Sequence, residues 1–372
     1  MKNRLSKLQA SLQTNTSAAV LVSSVPNITY LTGFSGFSKE DRDAFLFITK
    51  EKPYLLTHGI YKEVAEKHIA NFELMQITRE DPPGKTIKKL IRKHAVTKLG
   101  YEHFDLKVAE YHAFCKQIDP KLLSPINLLT ALRIIKTAEE IQLIKKACEL
   151  GDKAFSYIIK KLKAGMTEKE VASDIDVSIK KLGGDSSFPT IAAFGSNASR
   201  PHHVPTERKL QLGDMVLLDF GAKLNNYCSD MTRTICFGKP TAKQKKVYQT
   251  VLAAQLAAID YITMSLSRMR ESSEAQNTRA AQADEIARNF IISKGFPNMP
   301  HSLGHGIGLE VHEAPRLSPS SKDVLKEGMV FSIEPGIYLA DEMGVRIEDL
   351  FAIQDNQLIQ LTNSPRELIE II

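Results

Sequence analysis

Gly213-Asp-Met-Val-Leu-Leu-Asp-Phe-Gly-Ala-Lys-Leu-Asn-Asn-Tyr-Cys-Ser-Asp-Met-Thr-Arg-Thr234 is the stretch on which the rest of the chain depends. Met215 to Leu218 is an unbroken apolar run that predicts a buried strand, closed by Asp219 and Gly221. A polar turn around Leu224 and Asn225 leads into a second strand-like run carrying Asp230, Thr232 and Thr234. With those two residues as the turn, Asp219 and Asp230 stand opposite each other on one face, their Cβ atoms roughly 4.5–5.5 Å apart. Two bare carboxylates that close repel unless positive charge lies between them. A metal ion supplies that charge. The plainer alternative is a pair of ordinary turn and strand-end aspartates bonded to Lys223 or Arg233.

At 372 residues the chain exceeds the usual single core, so two domains are expected. With 43% hydrophobic and 25% charged residues it has an ordinary globular composition. The net charge of +6 is modest, and the basic run Lys85–His94 spaces Ile87, Leu90 and Ile91 along one helical face. That run reads as a solvated helix surface, so no nucleic-acid partner is expected. The N-terminus lacks the apolar core of a signal peptide. No run of ~18 apolar residues predicts a membrane span. Cys115, Cys148, Cys228 and Cys236 show no CxxC spacing and suit reduced thiols in a cytoplasmic protein. Cys228 shares the face of Asp230 by the strand period; beside oxygen ligands it reads as a packing residue.

Residues 1–132 read as an α/β domain that is structural, or concerned with assembly and substrate access. Ala18–Val22, Asp43–Ile48, Pro53–Leu56 and Glu73–Ile77 are strand-like, and Tyr61–Ile69, Thr86–His94 and Val108–Ile118 are helical. His58, His68, His94, His103 and His112 are scattered singly there. A boundary near Pro125–Lys136 opens a second domain, residues 133–372. Thr137 with Glu140, and Thr167 with Glu170, form capping boxes at the starts of two helices. Residues 243–294 predict one helix, a loose polar connection over Ser265–Gln282, and another helix. The final stretch from 301 returns to sheet and loop.

His202 and His203 form one histidine group, and His301, His305 and His312 the other, the latter at spacings of four and seven among glycines. Glu334 lies in the apolar run Met329–Tyr338 before a Pro-Gly turn, and Glu348 in the run Gly344–Phe351. A carboxylate in a buried strand needs a partner. Arg346 shares the face of Glu348 and can pair with it, whereas Glu334 has no such local partner. Asp219, Asp230, Glu334 and Glu348 with one histidine make a hard, oxygen-rich donor set. It suits Mn²⁺, Co²⁺ or Fe²⁺ better than a structural zinc, with charge enough for two divalent ions.

These segments resemble the pita-bread metallopeptidase family that contains methionine aminopeptidase, aminopeptidase P and prolidase. The resemblance is carried by Pro201–Thr206, Leu218–Ala222, Ser229–Thr234, Gly304–Glu313, Ser332–Tyr338 and Val345–Asp349. It implies an α+β chain: a pita-bread catalytic domain preceded by a smaller, creatinase-type α/β domain, with Asn27–Phe34 as that domain's recognisable segment. Carried over position by position, it implies Asp219, Asp230, His305, Glu334 and Glu348 as ligands of two divalent ions, Mn²⁺ first, with Co²⁺, Fe²⁺ or Zn²⁺ as alternatives. Glu334 would be general base and then acid, with His312 and His202 donating to the carbonyl oxygen. His202, His301, His312, Arg346 and Arg316 would contact substrate. The N-terminal domain favours the proline-specific branches. The expected activity is an Xaa-Pro aminopeptidase, acting on peptides with proline in second position, with an Xaa-Pro dipeptidase (prolidase) as the alternative. A metal-free amidinohydrolase on this fold would have lost ligands, and a binding protein would tolerate their loss. A homodimer is implied by the family. The chain departs from the family pattern in its longer polar connection, Ser265–Ala283, and at Leu350, where a polar residue is usual.

Overall fold

The apolar runs near the N-terminus become the strands Ala19–Val22, Ala44–Thr49, Pro53–His58 and Glu73–Ile77 of a six-stranded sheet. The structure is a computed structural model that describes residues 2–14, 18–38, 40–69, 71–271 and 278–372. It divides into two units, Met1–Leu132 and Arg133–Ile372. In the first, two strands not read from the sequence complete the sheet. Leu99–Glu102 pairs parallel with Ala19–Val22, and Leu123–Ile126 adds at its outer side. Gly100 interrupts the first, and Pro125 the second, a residue that sheets admit at an edge. The segment around Asn27 is a helix, Val25–Thr32, despite its β-branched residues; Pro26 enters it and Gly33, at φ 78°, ends it. Its first turn is tied down by buried Glu102, which accepts from the Ser23 and Ser24 N–H groups at 2.7 Å. The helix Pro83–Lys93 buries Ile87, Leu90 and Ile91, as the spacing of the basic run predicts.

The second unit repeats one arrangement twice. Helices Ala138–Lys161 and Glu168–Lys181 pack on a sheet of order Glu370–Ile371, Met231–Phe237, Met215–Phe220, Ile191–Phe194. Helices Ala242–Glu271 and Ala280–Ser293 pack on a second sheet, of order Glu313–Leu317, Gly304–Gly306, Val330–Ile333, Asp349–Gln354, Gln357–Gln360. Both capping boxes form, at Thr137 with Glu140 and at Thr167 with Glu170. The first helix of the second layer runs on to Glu271, into the polar tract, and part of the connection, 272–277, lies outside the described residues. The portion Ala242–Arg268 of that helix is long and apolar enough to cross a membrane by length and composition alone. Val247, Val251, Ala254, Ala258, Ile262 and Leu266 follow the helical period and pack in the core.

The hairpin differs from its sequence reading. Asn225 and Asn226 form the turn, with φ of 49° and 73°, the left-handed pair that a two-residue hairpin turn demands. The register therefore pairs Asp219 with Thr232, not with Asp230. Asp230 lies just before the strand Met231–Phe237, two residues from Thr232. Because side chains alternate with period two, this two-residue shift leaves Asp230 on the face of Asp219, as a diagonal neighbour. Glu334 and Glu348 also sit at strand breaks rather than within strands: Glu334 follows Val330–Ile333, and Glu348 falls between Met343–Arg346 and Asp349–Gln354.

Candidate metal centre

A cavity of about 280 Å³ in the second unit is lined by Asp219, Asp230, His305, Glu334 and Glu348, and also by His202, His301, His312, Arg316 and Arg346. Phe188, Ile191 and Val311 supply apolar wall. Asp230, Glu334 and Glu348 come from strand breaks, where backbone that leaves the ladder can turn a side chain into the gap between the two sheets, while Asp219 projects from within Met215–Phe220. Donor atoms of Asp230, His305 and Glu348 all lie within 4.8 Å of one another, close enough to share one ion. His305 Nδ1–H donates to the Gly306 carbonyl at 3.1 Å. That fixes the tautomer and aims Nε2 at Glu334 Oε1, 3.3 Å away, and Asp230 Oδ2, 3.7 Å away.

Arg346 does not pair with Glu348. Its guanidinium donates to Asp219 Oδ2 at 2.5 Å, to the Tyr338 hydroxyl at 2.6 Å and to Thr232 Oγ1 at 3.0 Å. Glu348 instead accepts from Thr232 Oγ1 at 2.8 Å. Nor does Arg233 reach Asp219 or Asp230, because it points to the opposite face of its strand and pairs with Asp349. The plain aspartate reading therefore loses its arginine, and no ion pair joins Lys223 to either aspartate among the described residues.

The buried acids outnumber their partners. Asp219 Oδ1, Asp230 Oδ1 and Glu348 Oε1 are buried without a hydrogen-bond partner among the described residues. An orphaned buried oxygen in a cluster of carboxylates is costly, and a divalent cation is the group that satisfies all three, so the residues fit the metal the donor chemistry implies. Burial first, then the charges of Glu348, Asp219 and Glu334, push Asp230 well above the usual carboxylate range. Glu348 rises well above it too, through burial and then the charges of Glu334 and Asp219. Burial would also raise Glu334, but the bond and charge of His305 bring it to about 2. Burial opposes the His305 cation, yet Glu334 raises that ring to about 9. The metal-free site thus takes up protons in place of cations. Loading it with Mn²⁺ at pH 7.5 is expected to release at least about one proton per chain, because His305 must be neutral to ligate. Calorimetry in buffers of different ionisation enthalpy measures this directly. Uptake with no proton release would contradict the charge balance described.

Three features of the site escaped the sequence reading. Tyr338 joins the substrate side to the ligands: its hydroxyl accepts from Arg346 and donates to His301 Nε2 at 2.8 Å. Its strand pairs with Met343–Arg346, so the signal was a shared hairpin, which a single-strand period does not reveal. Thr232 carried a signal in its alternation with Asp230 and Thr234. Glu168 carried almost none, because an acid in a helix's first turn ordinarily faces solvent. Here it is fully buried and gathers the 194–206 segment, accepting from Phe194 N–H, Asn197, Thr206 and His203 Nε2 at 2.6–2.9 Å. His203 is thereby held, while its neighbour His202 lines the cavity.

A pita-bread unit with a carboxylate-rich pocket between its sheets, preceded by a creatinase-type α/β unit, defines a class of metal-dependent hydrolases. The chain belongs to that class through metallopeptidase family M24, whose model it matches over residues 142–355, and it matches the creatinase/prolidase N-terminal domain over residues 4–135. It is similar to the Xaa-Pro dipeptidase of Pyrococcus furiosus, 36% identical over 376 residues that cover 99% of this chain and 100% of that one. Among solved structures it is similar to a prolidase from Thermococcus sibiricus, at 36% identity and a TM-score of 0.89, covering 100% of this chain and 99% of that one. It is also similar to the X-Pro aminopeptidase from Thermotoga maritima, at 28% identity and a TM-score of 0.86, covering 99% of each chain. The chain is therefore a hydrolase of the metallopeptidase type, and its family implies divalent metal ions.

Proposed function

We propose that this chain is an Xaa-Pro dipeptidase. The observation that carries the hydrolytic part is the convergence of four carboxylates and His305 on one cavity, three of their oxygens orphaned. The dipeptidase part is favoured over the aminopeptidase expected from sequence by the relatives named Xaa-Pro dipeptidase, at about 36% identity over the whole chain, against 28% for the X-Pro aminopeptidase. Charge adds to this. Arg316 lines the cavity, and a guanidinium there suits the free carboxylate that only the dipeptide places one residue after the cleaved bond.

Asp219, Asp230, His305, Glu334 and Glu348 would hold two divalent ions, for which Mn²⁺ is the first candidate. Bound there, such ions supply Lewis acidity towards the peptide carbonyl and lower the pKa of water to near neutrality. Glu334, held by Ser332 Oγ at 3.0 Å, accepts the proton of the attacking water and returns it to the proline nitrogen. His312 has its pKa lowered by burial and by His305, and with His202 it faces the carbonyl oxygen as a hydrogen-bond donor. His301, fixed between the Ser302 carbonyl and Tyr338, orients the substrate. Phe188, Ile191 and Val311 offer the apolar wall for a pyrrolidine ring.

The test compares an Xaa-Pro dipeptide with an Xaa-Pro-Xaa tripeptide on the Mn²⁺-loaded protein. The dipeptide is expected to have the higher kcat/KM. Arg316→Met should lower it by about 10–100-fold, mainly through KM, the worth of one charge-assisted contact. A faster tripeptide, with Arg316→Met indifferent, would return the chain to the aminopeptidase reading. Hydrolysis of neither with any of Mn²⁺, Co²⁺, Fe²⁺ or Zn²⁺ would remove the proposal.

A further inference from the structure

Arg233 is the largest side chain buried to below 2% exposure, yet it belongs to neither the cavity wall nor the ligand set. Its neighbour Thr232 faces the cavity, paired with Asp219, so Arg233 points to the back of the same strand. The segment it meets shows the same alternation. Glu348 lines the cavity, and Asp349, one residue on, lies behind it, fully buried. The two segments bond directly through backbone, the Glu348 N–H donating to the Thr232 carbonyl at 3.1 Å, and through side chains on both sides of it. At the front, Thr232 Oγ1 donates to Glu348 Oε2 at 2.8 Å. At the back, Arg233 donates to Asp349 Oδ1 at 2.6 Å.

The rest of the guanidinium binds backbone. It donates to the Thr232 carbonyl at 2.9 Å and the Glu348 carbonyl at 2.6 Å through one terminal nitrogen. The other terminal nitrogen also reaches the Ser364 carbonyl at 2.7 Å, and Nε reaches the Pro365 carbonyl at 2.8 Å. All five N–H donors of the side chain are thereby used. Two of them grip the peptide groups next to the cavity-facing Thr232 and Glu348 side chains. Asp349 in turn is held by Thr362, Gln255 and Arg366 at 2.7–2.9 Å, so the anchor is itself fixed.

We propose that Arg233 is the positioning residue of the metal centre: by clamping the Thr232 and Glu348 peptides from behind, it sets the distance between the two sheets at which their carboxylates share ions. The inference rests on the metal-centre reading above. A rigid planar fork is required for it. A lysine would keep the charge opposite Asp349 but could not hold Thr232, Glu348, Ser364 and Asp349 at once.

The test titrates metal-free full-length protein with Co²⁺ and follows its visible absorption, for the wild type, Arg233→Lys and Asp349→Asn. A core variant remote from the clamp, Val171→Ala, matched for melting temperature, reports what lost stability alone does. The wild type and Val171→Ala should bind Co²⁺ alike. Arg233→Lys should bind at least about tenfold more weakly with altered absorption bands, as loss of support behind metal ligands typically gives. Asp349→Asn keeps the size of the anchor and should weaken binding in the same direction. If Arg233→Lys does not fold, Asp349→Asn decides. Wild-type affinity and spectrum in the folded variants would overturn the clamp while leaving the metal centre standing. No Co²⁺ uptake by the wild type would overturn the metal centre, and the clamp with it.

Discussion

Glu334→Gln is expected to lower kcat for an Xaa-Pro dipeptide by about 10³-fold or more at saturating Mn²⁺, within the range assigned to a lost general base. The substitution keeps the shape of the side chain and its acceptor oxygen for Ser332 Oγ, 3.0 Å from Glu334 Oε1. It removes the one property a proton carrier needs. Glu334 is also a proposed ligand, so metal affinity should weaken as well. Measuring kcat against Mn²⁺ concentration separates the two effects: saturation restores occupancy and leaves the deficit in kcat. Activity within tenfold of wild type at saturating metal would remove Glu334 from the proton-transfer role.

Asp230→Asn should act with opposite signs on stability and on activity. In the metal-free protein Asp230 is buried, its Oδ1 has no partner among the described residues, and the charges of Glu348, Asp219 and Glu334 press on it. Replacing the carboxylate by an amide removes the cost of keeping it protonated, or of repulsion when it is ionised, and keeps a donor facing the acids. A gain of roughly 1–3 kcal/mol is expected, the range for an unsatisfied buried polar group. That corresponds to a Tm about 2–10 °C higher in the absence of metal, for a unit of this size. The same change removes a ligand oxygen, so hydrolysis should fall by about 10²-fold or more. Addition of Mn²⁺ should stabilise the wild type strongly and the variant weakly, since stabilisation grows with occupancy of the folded state. Differential scanning calorimetry with and without Mn²⁺ checks all of this in one series. A metal-free variant less stable than wild type would show that Asp230 is held by structure rather than strained by its neighbours.

The aspartates show how much of the site could be read from the sequence. Their face could be, because the strand period of two survives an error in the turn: placing the turn at Leu224–Asn225 instead of Asn225–Asn226 moves the partner of Asp219 by two positions and not to the other side. Their pairing could not, since it depends on which asparagines accept the left-handed conformation. Arg346 was read onto the face of Glu348 by the same period, but the two lie across a strand break, and its guanidinium goes to Asp219 on another strand. A long side chain chooses its partner in space, and local spacing has no knowledge of that choice. The N-terminal unit gives the reverse lesson. Val25–Thr32 is rich in β-branched residues and still forms a helix, because Pro26, Gly33 and the buried Glu102 fix its ends.

Periodicity and the spacing of histidines and acids were enough to read strands, helices and a hard, oxygen-rich donor set, because hydrophobic period and residue chemistry are local properties; the α+β class came from the motifs' resemblance to a family. Folding alone decided that three of the acids' oxygens are left without partners among the described residues, and that Arg233 pairs with Asp349 behind the cavity. Those outcomes depend on segments more than a hundred residues apart, as Thr232 and Glu348 are. Only the packing of two sheets into one unit brings such distant segments to one cavity.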